Sequence, residues 1–273
     1  MKGGNLSLGG HILCSYVTSV WTVLAVKGGN LSLGGHILCS YVTSVWTVLA
    51  VKGGNLSLGN DQDVKKLDSF FKQELNFDVQ RVPNLELEVL KDCLSALQKE
   101  LSGAGAETYY CFICAILSHG NENGILTQDK QHISMDTIRG YFDNKHMGSF
   151  AGRPRVFLVQ ACRGAKKQQG IDIADDEPID ISDIIGRTTV PGEADFLIAY
   201  STTEGHKSFR RDSTGSWFMH SLLKVLKERH RTEHLEEMLI DVRAEVSQEW
   251  QTCDGTKQMP CTWSTLRKRL YFC

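Results

Sequence analysis

The sequence predicts an α/β sandwich in which a mostly parallel central sheet is covered by helices on both faces. The evidence is a set of strand-length segments that are almost entirely apolar, at Tyr109–Leu117, Arg155–Gln160 and Asp195–Tyr200. A strand buried on both faces gives a continuous apolar run, whereas a strand with one solvated face alternates. Helical segments separate these runs, and the alternation of strands with helices is typical of a parallel sheet.

Amphipathic helices are predicted where apolar residues recur every three or four positions. Acidic residues in the first turn mark the start of the first helix, and Asn84 provides an N-cap for the second. Four helices follow from this pattern, over Asp61–Leu75, Asn84–Leu101, Trp217–Glu228 and His234–Trp250. Two short strands are predicted beside them, at Phe77–Val82 and Lys268–Phe272.

The composition excludes several classes of protein. The chain has 273 residues, of which 41% are hydrophobic and 23% charged, as is ordinary for a globular protein. Its formal net charge of −2 argues against nucleic acid or an anionic membrane as an obligate partner. The apolar run Ile12–Val26 is shorter than the roughly 20 residues of a membrane span and contains Ser, Thr and Tyr. We therefore expect no nucleic acid and no membrane partner.

The cysteines are interpreted as thiols. Nine of them, an odd number, in a chain of this length favour a reducing compartment, and hence a cytoplasmic protein. Cys111 and Cys114 have the spacing of a redox or zinc motif, but residues three apart on a strand point to opposite faces, so both are interpreted as core residues. Cys253, Cys261 and Cys273 lack paired metal-ligand spacing. We expect no metal and no cofactor.

Residues 1–59 consist of a repeated segment. Lys2–Val26 recurs without a change as Lys27–Val51, and a partial third copy follows up to Gly59. A solenoid is one interpretation, but solenoids need about three or more repeats with atypical ends. Identity at every position instead favours a recent duplication of the DNA. The structure of this segment stays open, with Val45–Val51 as a candidate first strand of the sheet.

Two of the predicted strands end in short polar motifs. Tyr109–Leu117 is followed by Ser-His119-Gly120, and Arg155–Val159 by Gln-Ala-Cys162-Arg-Gly. In open parallel sheets, functional groups gather just beyond the carboxyl ends of the strands. If these strands are neighbours, His119 and Cys162 emerge side by side. A neighbouring imidazole favours the thiolate, which is the reactive form of cysteine. The alternative is that Cys162 is a plain buried cysteine and that His119 is a structural histidine. The occurrence of both residues at paired strand ends makes this alternative less favoured.

The glycine of the first motif has a part in the same chemistry. Acyl transfer produces a tetrahedral oxyanion, which backbone N–H groups can stabilise if they are already in place. Gly120 permits a close approach of the backbone to a substrate carbonyl, and the N–H of Cys162 would be the second donor. The two motifs together predict a nucleophilic cysteine with a proton-transfer partner and an oxyanion site.

The segment Gln160-Ala-Cys-Arg-Gly164 resembles the cysteine signature of the caspase family, and His119 lies 43 positions before Cys162. The similarity extends from about residue 60 to the C-terminus. It includes the segments Ala194–Leu197, Tyr200–Thr202, Gly215–Phe218, Lys257–Pro260 and Leu270–Phe272.

The resemblance implies a three-layer caspase-like sandwich and a cysteine endopeptidase that cleaves after aspartate, in apoptosis or related signalling. It implies that Cys162 attacks the carbonyl, that His119 protonates the departing amine, and that Gly120 contributes to the oxyanion hole. It also implies that the substrate aspartate is bound by Gln160 and by Arg210, since a guanidinium binds a carboxylate bidentately. The remaining substrate-binding residues that it implies are Ser208, Phe209 and Trp217.

The same resemblance divides the chain into parts. Residues 60–175 correspond to a large subunit, 176–192 to an acidic linker and 193–273 to a small subunit. Cleavage of a zymogen at the linker is implied, with candidate sites at Asp175, Asp176, Asp180 and Asp183. The implied partners are protein substrates, caspase inhibitors or adaptor proteins, and a second copy of the chain, which we expect to pair through the terminal run Arg267–Phe272.

The chain departs from the family pattern at one pocket residue. The family has a second arginine two residues before the glycine of a Gly-x-Asp-x-Asp-like motif; here Gly59–Asp63 matches that motif, but the arginine position holds Ser57. Loss of one of two arginines costs on the order of 2–4 kcal/mol of carboxylate binding. A catalytically impaired, caspase-like regulator that pairs with an active caspase is therefore the alternative to an active enzyme.

Ser57→Arg should raise the catalytic efficiency toward substrates with aspartate before the cleaved bond about tenfold or more, because the carboxylate regains a bidentate partner. Ser57→Lys is the matched control and should gain less, since an ammonium is a point charge without the fork. Steady-state kinetics on peptide substrates measures both. If neither variant differs from the parent, residue 57 does not line the pocket.

Overall fold

The structure of the protein, a computed structural model, describes residues 61–82, 85–106, 109–166, 190–211 and 214–272. It also describes the backbone of residues 58–60 and of four short strands between residues 23 and 49. The fold below is that of this part of the chain.

Five helices and fifteen strands are formed in the described part. The helices are α1 (Leu58–Ser69), α2 (Leu87–Ser102), α3 (Met135–Gly140), α4 (Trp217–Arg229) and α5 (Leu235–Glu249). A π-helical turn, Phe70–Glu74, continues α1, and a short 3₁₀ turn lies at Gly148–Phe150. The strands are β1 (Val23–Leu24), β2 (Ser32–Leu33), β3 (His36–Leu38), β4 (Val45–Leu49), β5 (Asp78–Val82), β6 (Phe112–Leu117), β7 (Gly120–Asn121), β8 (Gly124–Leu126), β9 (His132–Ile133), β10 (Arg155–Gln160), β11 (Phe196–Tyr200), β12 (Arg210–Arg211), β13 (Gly215–Ser216), β14 (Cys261–Ser264) and β15 (Arg269–Tyr271).

A six-stranded sheet in the order β1-β4-β6-β10-β11-β14 forms the centre of the molecule. Its four inner strands are mutually parallel, and the edge strands β1 and β14 run antiparallel to their neighbours. The predicted, mostly parallel sheet is therefore confirmed. Parallel strands need long crossovers, and those from β4 to β6 and from β6 to β10 contain α1, α2 and α3.

Two apolar cores lie on opposite faces of this sheet, because successive side chains of a strand point to opposite sides. On β6, Ile113, Ala115 and Leu117 face the core that contains α1, α4 and α5. The alternate residues of β6, with Cys114 among them, face the core that contains α2 and α3. Cys111 belongs to the first core and Cys114 to the second, and both are fully buried, which confirms that this pair is core packing.

Two copies of the repeated segment contribute to the sheet. β4 comes from the second copy and pairs in parallel with β6, in a register that places Leu49 opposite Ile116. β1 comes from the first copy and pairs with β4 in the antiparallel direction, Val23 opposite Thr47. The carboxyl end of β4 therefore lies at the same edge of the sheet as those of β6 and β10.

The terminal strand β15 is an end strand of the three-stranded sheet β15-β3-β2, and its apolar side chains are buried. The expected pairing of two copies through Arg267–Phe272 stays a prediction. Leu270 and Phe272 are each only 1% exposed, and the Phe272 ring packs edge-on against Phe71 and Phe77. The strand itself pairs in parallel with β3. A short apolar run reads the same in sequence whether it lies at an edge or in a core. The edge of the central sheet on this side is β14, whose residues are all partly or fully exposed.

Within the described residues, no helix combines the length and the apolar character that crossing a bilayer requires.

Leu270→Ala should lower the free energy of unfolding by about 2–5 kcal/mol, because it removes a buried side chain and leaves a cavity. It should leave the oligomeric state unchanged, because Leu270 belongs to the core. Urea denaturation and sedimentation measure the two effects, with the exposed Lys268→Ala as control. A variant that kept its stability but changed its oligomeric state would show that the Leu270 side chain contacts a second copy and not the core.

Candidate active site

Neighbouring strands β6 and β10 bring the two polar motifs together. In their parallel register Leu117 lies opposite Gln160, and the Ser118 N–H donates to the Gln160 carbonyl at 3.0 Å. Beyond this point the chain continues as His119-Gly120 from one strand and Ala161-Cys162 from the other. The juxtaposition that the sequence predicted is thus a direct result of the sheet register.

Gly120 lies directly against the backbone of Cys162. A Cβ atom built on Gly120 would approach the Cys162 carbonyl oxygen to 2.6 Å and the Gly124 carbonyl oxygen to 2.9 Å. Contacts this short to backbone atoms exclude every side chain, so only glycine allows the two segments to approach this closely. The close approach holds the residue after His119 in contact with the nucleophile candidate.

The N–H of Gly120 points out of the small hairpin that follows His119. Leu126 donates its N–H to the His119 carbonyl at 3.0 Å, and Gly120 lies opposite Ile125 in the next pair. Antiparallel pairs alternate between hydrogen-bonded and non-hydrogen-bonded, so the Gly120 pair is non-hydrogen-bonded. Its N–H is therefore directed away from the hairpin, as an oxyanion donor requires.

The imidazole of His119 is exposed at the rim of this edge. Its pKa lies below the ordinary value because the ring is partly desolvated and because the positive charge of Arg210 lies nearby. Both causes disfavour the imidazolium, so at neutral pH the ring is uncharged and can accept a proton. The positive charge of Arg210 thus acts on the His119 ring.

The Cys162 thiol is half-buried and is held by Ser208. Its Sγ accepts the Ser208 N–H at 3.4 Å and donates to the Ser208 carbonyl at 3.7 Å. On either side, Ala161 donates its N–H to the Ser201 hydroxyl and Arg163 donates its N–H to the His206 carbonyl. Cys162 and His119 are thus neighbours through their backbones, while the hydrogen bonds of the thiol go to Ser208.

Gln160 and Ser208 are in direct contact beside the nucleophile. The Gln160 side chain is fully buried, and its Nε2 donates to the Ser208 hydroxyl at 2.7 Å. The Oε1 of the same amide is buried without a hydrogen-bond partner, which is uncommon in folded proteins and often marks a functional position. The structure therefore brings together Cys162, Gln160 and Ser208, with Arg210 two residues farther along.

The loop of residues 208–210 is held in place by a buried glutamine, which was not predicted from the sequence as a site residue. Gln258 is 1% exposed; its Oε1 accepts the Phe209 N–H at 2.6 Å and its Nε2 donates to the Ser201 carbonyl at 2.7 Å. Its place in the matching segment Lys257–Pro260 was the only signal in the sequence.

Three aromatic rings stack beside this loop. Phe209 stacks on Trp217 with centroids 4.9 Å apart, and Trp217 stacks on Trp250 at 5.7 Å. The guanidinium of Arg211 lies 5.3 Å from the Trp250 centroid. Trp217 is 3% exposed, whereas Phe209 and Trp250 are half-buried and can contact a ligand directly. Trp250 and Arg211 were not predicted as members of this group.

Several predicted residues lie outside the described part of the chain. They are Ser57 and the candidate processing sites Asp175, Asp176, Asp180 and Asp183.

The fold and the site define a class before any relative is considered. A parallel α/β sandwich that presents a cysteine and a histidine from adjacent strands, with a glycine backbone pressed against the cysteine, has the arrangement of a cysteine peptidase.

Comparison with known proteins identifies the family. A model of the Caspase domain matches residues 55–271. Caspase-3 of Oryctolagus cuniculus is 34% identical over 205 residues, which cover 72% of this chain and 70% of that protein. Caspase-6 of Gallus gallus is 33% identical over 214 residues, covering 73% and 68% respectively. Caspase-8 of Rattus norvegicus is 31% identical over 218 residues, which cover 77% of this chain and 44% of that protein. The chain belongs to the caspase family of cysteine peptidases.

Arg210→Gln should raise the pKa of His119, because removal of a nearby positive charge favours the imidazolium. The wild-type midpoint should lie below the ordinary value of 6.5. An NMR titration of histidine-labelled protein measures the midpoint, with the His119 resonance assigned by its loss in His119→Gln. Arg211→Gln, whose guanidinium lies over Trp250, is the control and should leave the midpoint unchanged. An unaltered midpoint in Arg210→Gln would contradict the electrostatic contact.

Proposed function

We propose that the protein is a cysteine endopeptidase that cleaves protein substrates after aspartate. The single observation that carries the proposal is the contact between Gly120 and the Cys162 carbonyl at the shared edge of two parallel strands. The proposal is supported by this close backbone approach between the segment that follows His119 and the segment that contains Cys162. Acyl transfer needs a nucleophile, a base and an N–H donor close together.

The chemistry runs through two tetrahedral intermediates. The Cys162 thiol gives its proton to His119, and Sγ attacks the carbonyl carbon, whose oxygen becomes an oxyanion. The N–H groups of Gly120 and Cys162 stabilise that oxyanion. Collapse breaks the C–N bond, and His119 gives its proton to the departing amine. His119 then takes a proton from water, which attacks the thioester, and the second collapse returns the proton to the thiol and releases the acid.

Preference for aspartate is proposed to come from Gln160, Ser208 and Arg210. Gln160 and Ser208 are already in contact beside Cys162. The positive charge of Arg210 reaches the same region, as its effect on His119 indicates. A guanidinium fork with neighbouring polar groups is suited to a carboxylate, whereas it disfavours apolar side chains at this position.

An impaired regulator that pairs with an active caspase is the second candidate. Two observations favour it: Ser57 stands where the family has an arginine, and the Cys162 thiol is hydrogen-bonded to Ser208. Thiol geometry in an unliganded site often tightens only when the substrate binds, so the second observation is the weaker one.

The wider setting is proposed from the family. We propose a cytoplasmic zymogen that acts in apoptosis or related signalling and is cut in its linker at Asp175, Asp176, Asp180 or Asp183. We propose that two copies pair through the terminal run Arg267–Phe272, whose strand β15 lies at the end of its sheet, and that caspase inhibitors or adaptor proteins are further partners.

Cys162→Ala should abolish cleavage of aspartyl peptides and labelling by an aspartyl chloromethylketone, because the thiol is the attacking group in both reactions. Mass spectrometry should find one label per wild-type chain, on Cys162. Cys253→Ala, at an exposed position, is the control and should keep both activities.

The outcomes separate the two candidates. A wild-type chain that is labelled and cleaves peptides is an active endopeptidase. One that is labelled at Cys162 yet does not turn over substrate fits the impaired regulator. Turnover that persists in Cys162→Ala would rule out the mechanism.

A further inference from the structure

A buried carboxylate joins helix α1 to the hairpin that carries Arg210. Asp63 is 1% exposed, and its Oδ2 accepts the Ser216 N–H at 2.9 Å. One turn later on the same helix, Lys66 donates from Nζ to the Thr214 carbonyl at 2.8 Å. The helix therefore holds the segment 214–216 at two points, although the sequence motif that contains Asp63 had no role in the chemistry above.

The contact is fitted from both sides. Gly215, between the two held residues, has φ +93°, which side chains rarely adopt. A Cβ atom at Gly215 would lie 1.9 Å from Asp63 Oδ1, so the carboxylate occupies the space that any side chain there would need. Glycine at 215 thus serves both the backbone conformation and the close approach of Asp63.

The strand register carries this contact to Arg210. Arg210 lies opposite Ser216 and Arg211 lies opposite Gly215. In the adjacent pair, Trp217 donates its N–H to the Phe209 carbonyl, so the Arg210–Ser216 pair is of the non-hydrogen-bonded kind. The Ser216 N–H therefore points away from β12 and toward Asp63. A shift of Ser216 would shift the strand opposite, and Arg210 with it.

Stability alone does not account for a carboxylate at this position. Burial raises the pKa of Asp63 to about 6, although the Ser216 hydrogen bond and the charges of Lys66 and Arg210 act against it. Asp63 Oδ1 is buried without a hydrogen-bond partner. A buried ionised group often stabilises the folded protein no more than a well-packed apolar side chain of similar size would.

We propose that Asp63 is a positioning residue for substrate recognition, which through Ser216 fixes the strand of Arg210 and so sets where a substrate carboxylate binds. The inference rests on the proposed aspartate-directed function. Asp63 does not touch the substrate, so it should act on binding and leave the reaction of Cys162 unchanged.

The first test is Asp63→Ala. The KM for an aspartyl peptide should rise about tenfold or more, while kcat changes by less than about threefold. The rate of Cys162 alkylation by iodoacetamide, which carries no carboxylate, should stay at the wild-type value. Asp61→Ala, exposed on the same helix, is the matched control and should match the wild type in all three measurements.

Two further variants keep the test decisive if Asp63→Ala folds poorly. Asp63→Asn retains an acceptor for the Ser216 N–H and should keep KM within about threefold of wild type. Gly215→Ala presses on Asp63 Oδ1 and should reproduce the rise in KM without altering Asp63 itself. A folded Asp63→Ala or Gly215→Ala variant with wild-type KM overturns the inference. A rise in KM that is accompanied by an equally large fall in kcat and in the alkylation rate also overturns it.

Binding measured by fluorescence anisotropy separates this inference from the proposed function. The probe is a labelled aspartyl peptide, and each variant is tested in a Cys162→Ala background. If the wild-type chain binds the peptide but does not cleave it, the proposed endopeptidase activity is overturned. The order of affinities among the Asp63 and Gly215 variants then still tests the positioning role of Asp63. If the parent of these variants does not bind the peptide, both proposals are overturned.

Discussion

The parallel pairing of β6 with β10 is the constraint on which the site depends. Both strands are buried on both faces, so a slip of one residue would move every side chain to the wrong core. The observed register, with Leu117 opposite Gln160, is therefore strongly determined by packing. His119 and Cys162 come just after the ends of these two strands. Displacing either residue relative to the other would therefore require the free energy of disrupting two apolar cores.

The two sides of the candidate site are held in place differently. Cys162 and Gly120 are placed by the sheet itself, whereas Ser208 and Arg210 lie on a loop and a two-stranded hairpin outside it. Buried polar groups fasten that region: Gln258 binds the loop, and Asp63 binds the hairpin. The residues proposed for recognition are therefore held by a few hydrogen bonds, and the proposed nucleophile by the cooperative core.

The central strands could be predicted from sequence because their signal is local. Arg155–Gln160 has the same bounds in sequence and structure, and the strand predicted at Tyr109–Leu117 is formed at Phe112–Leu117. Contacts between distant residues could not be predicted. The Asp63–Ser216 hydrogen bond joins residues 153 positions apart, and no sequence pattern in either segment predicts it. The burial of the Leu270 side chain could not be predicted for the same reason, since an apolar run does not indicate what covers it.

The repeated segment has a consequence for how strand direction is encoded. Val23-Leu24 and Val48-Leu49 are the same dipeptide in two identical copies, yet the first runs antiparallel and the second parallel within one sheet. Direction is thus a property of chain connectivity and not of the peptide. Copies of this kind are interchangeable parts, and a gain or loss of 25 residues in the gene would still leave one Val-Trp-Thr-Val-Leu peptide beside β6. Such a change in length would therefore keep the sequence of the strand that pairs with β6.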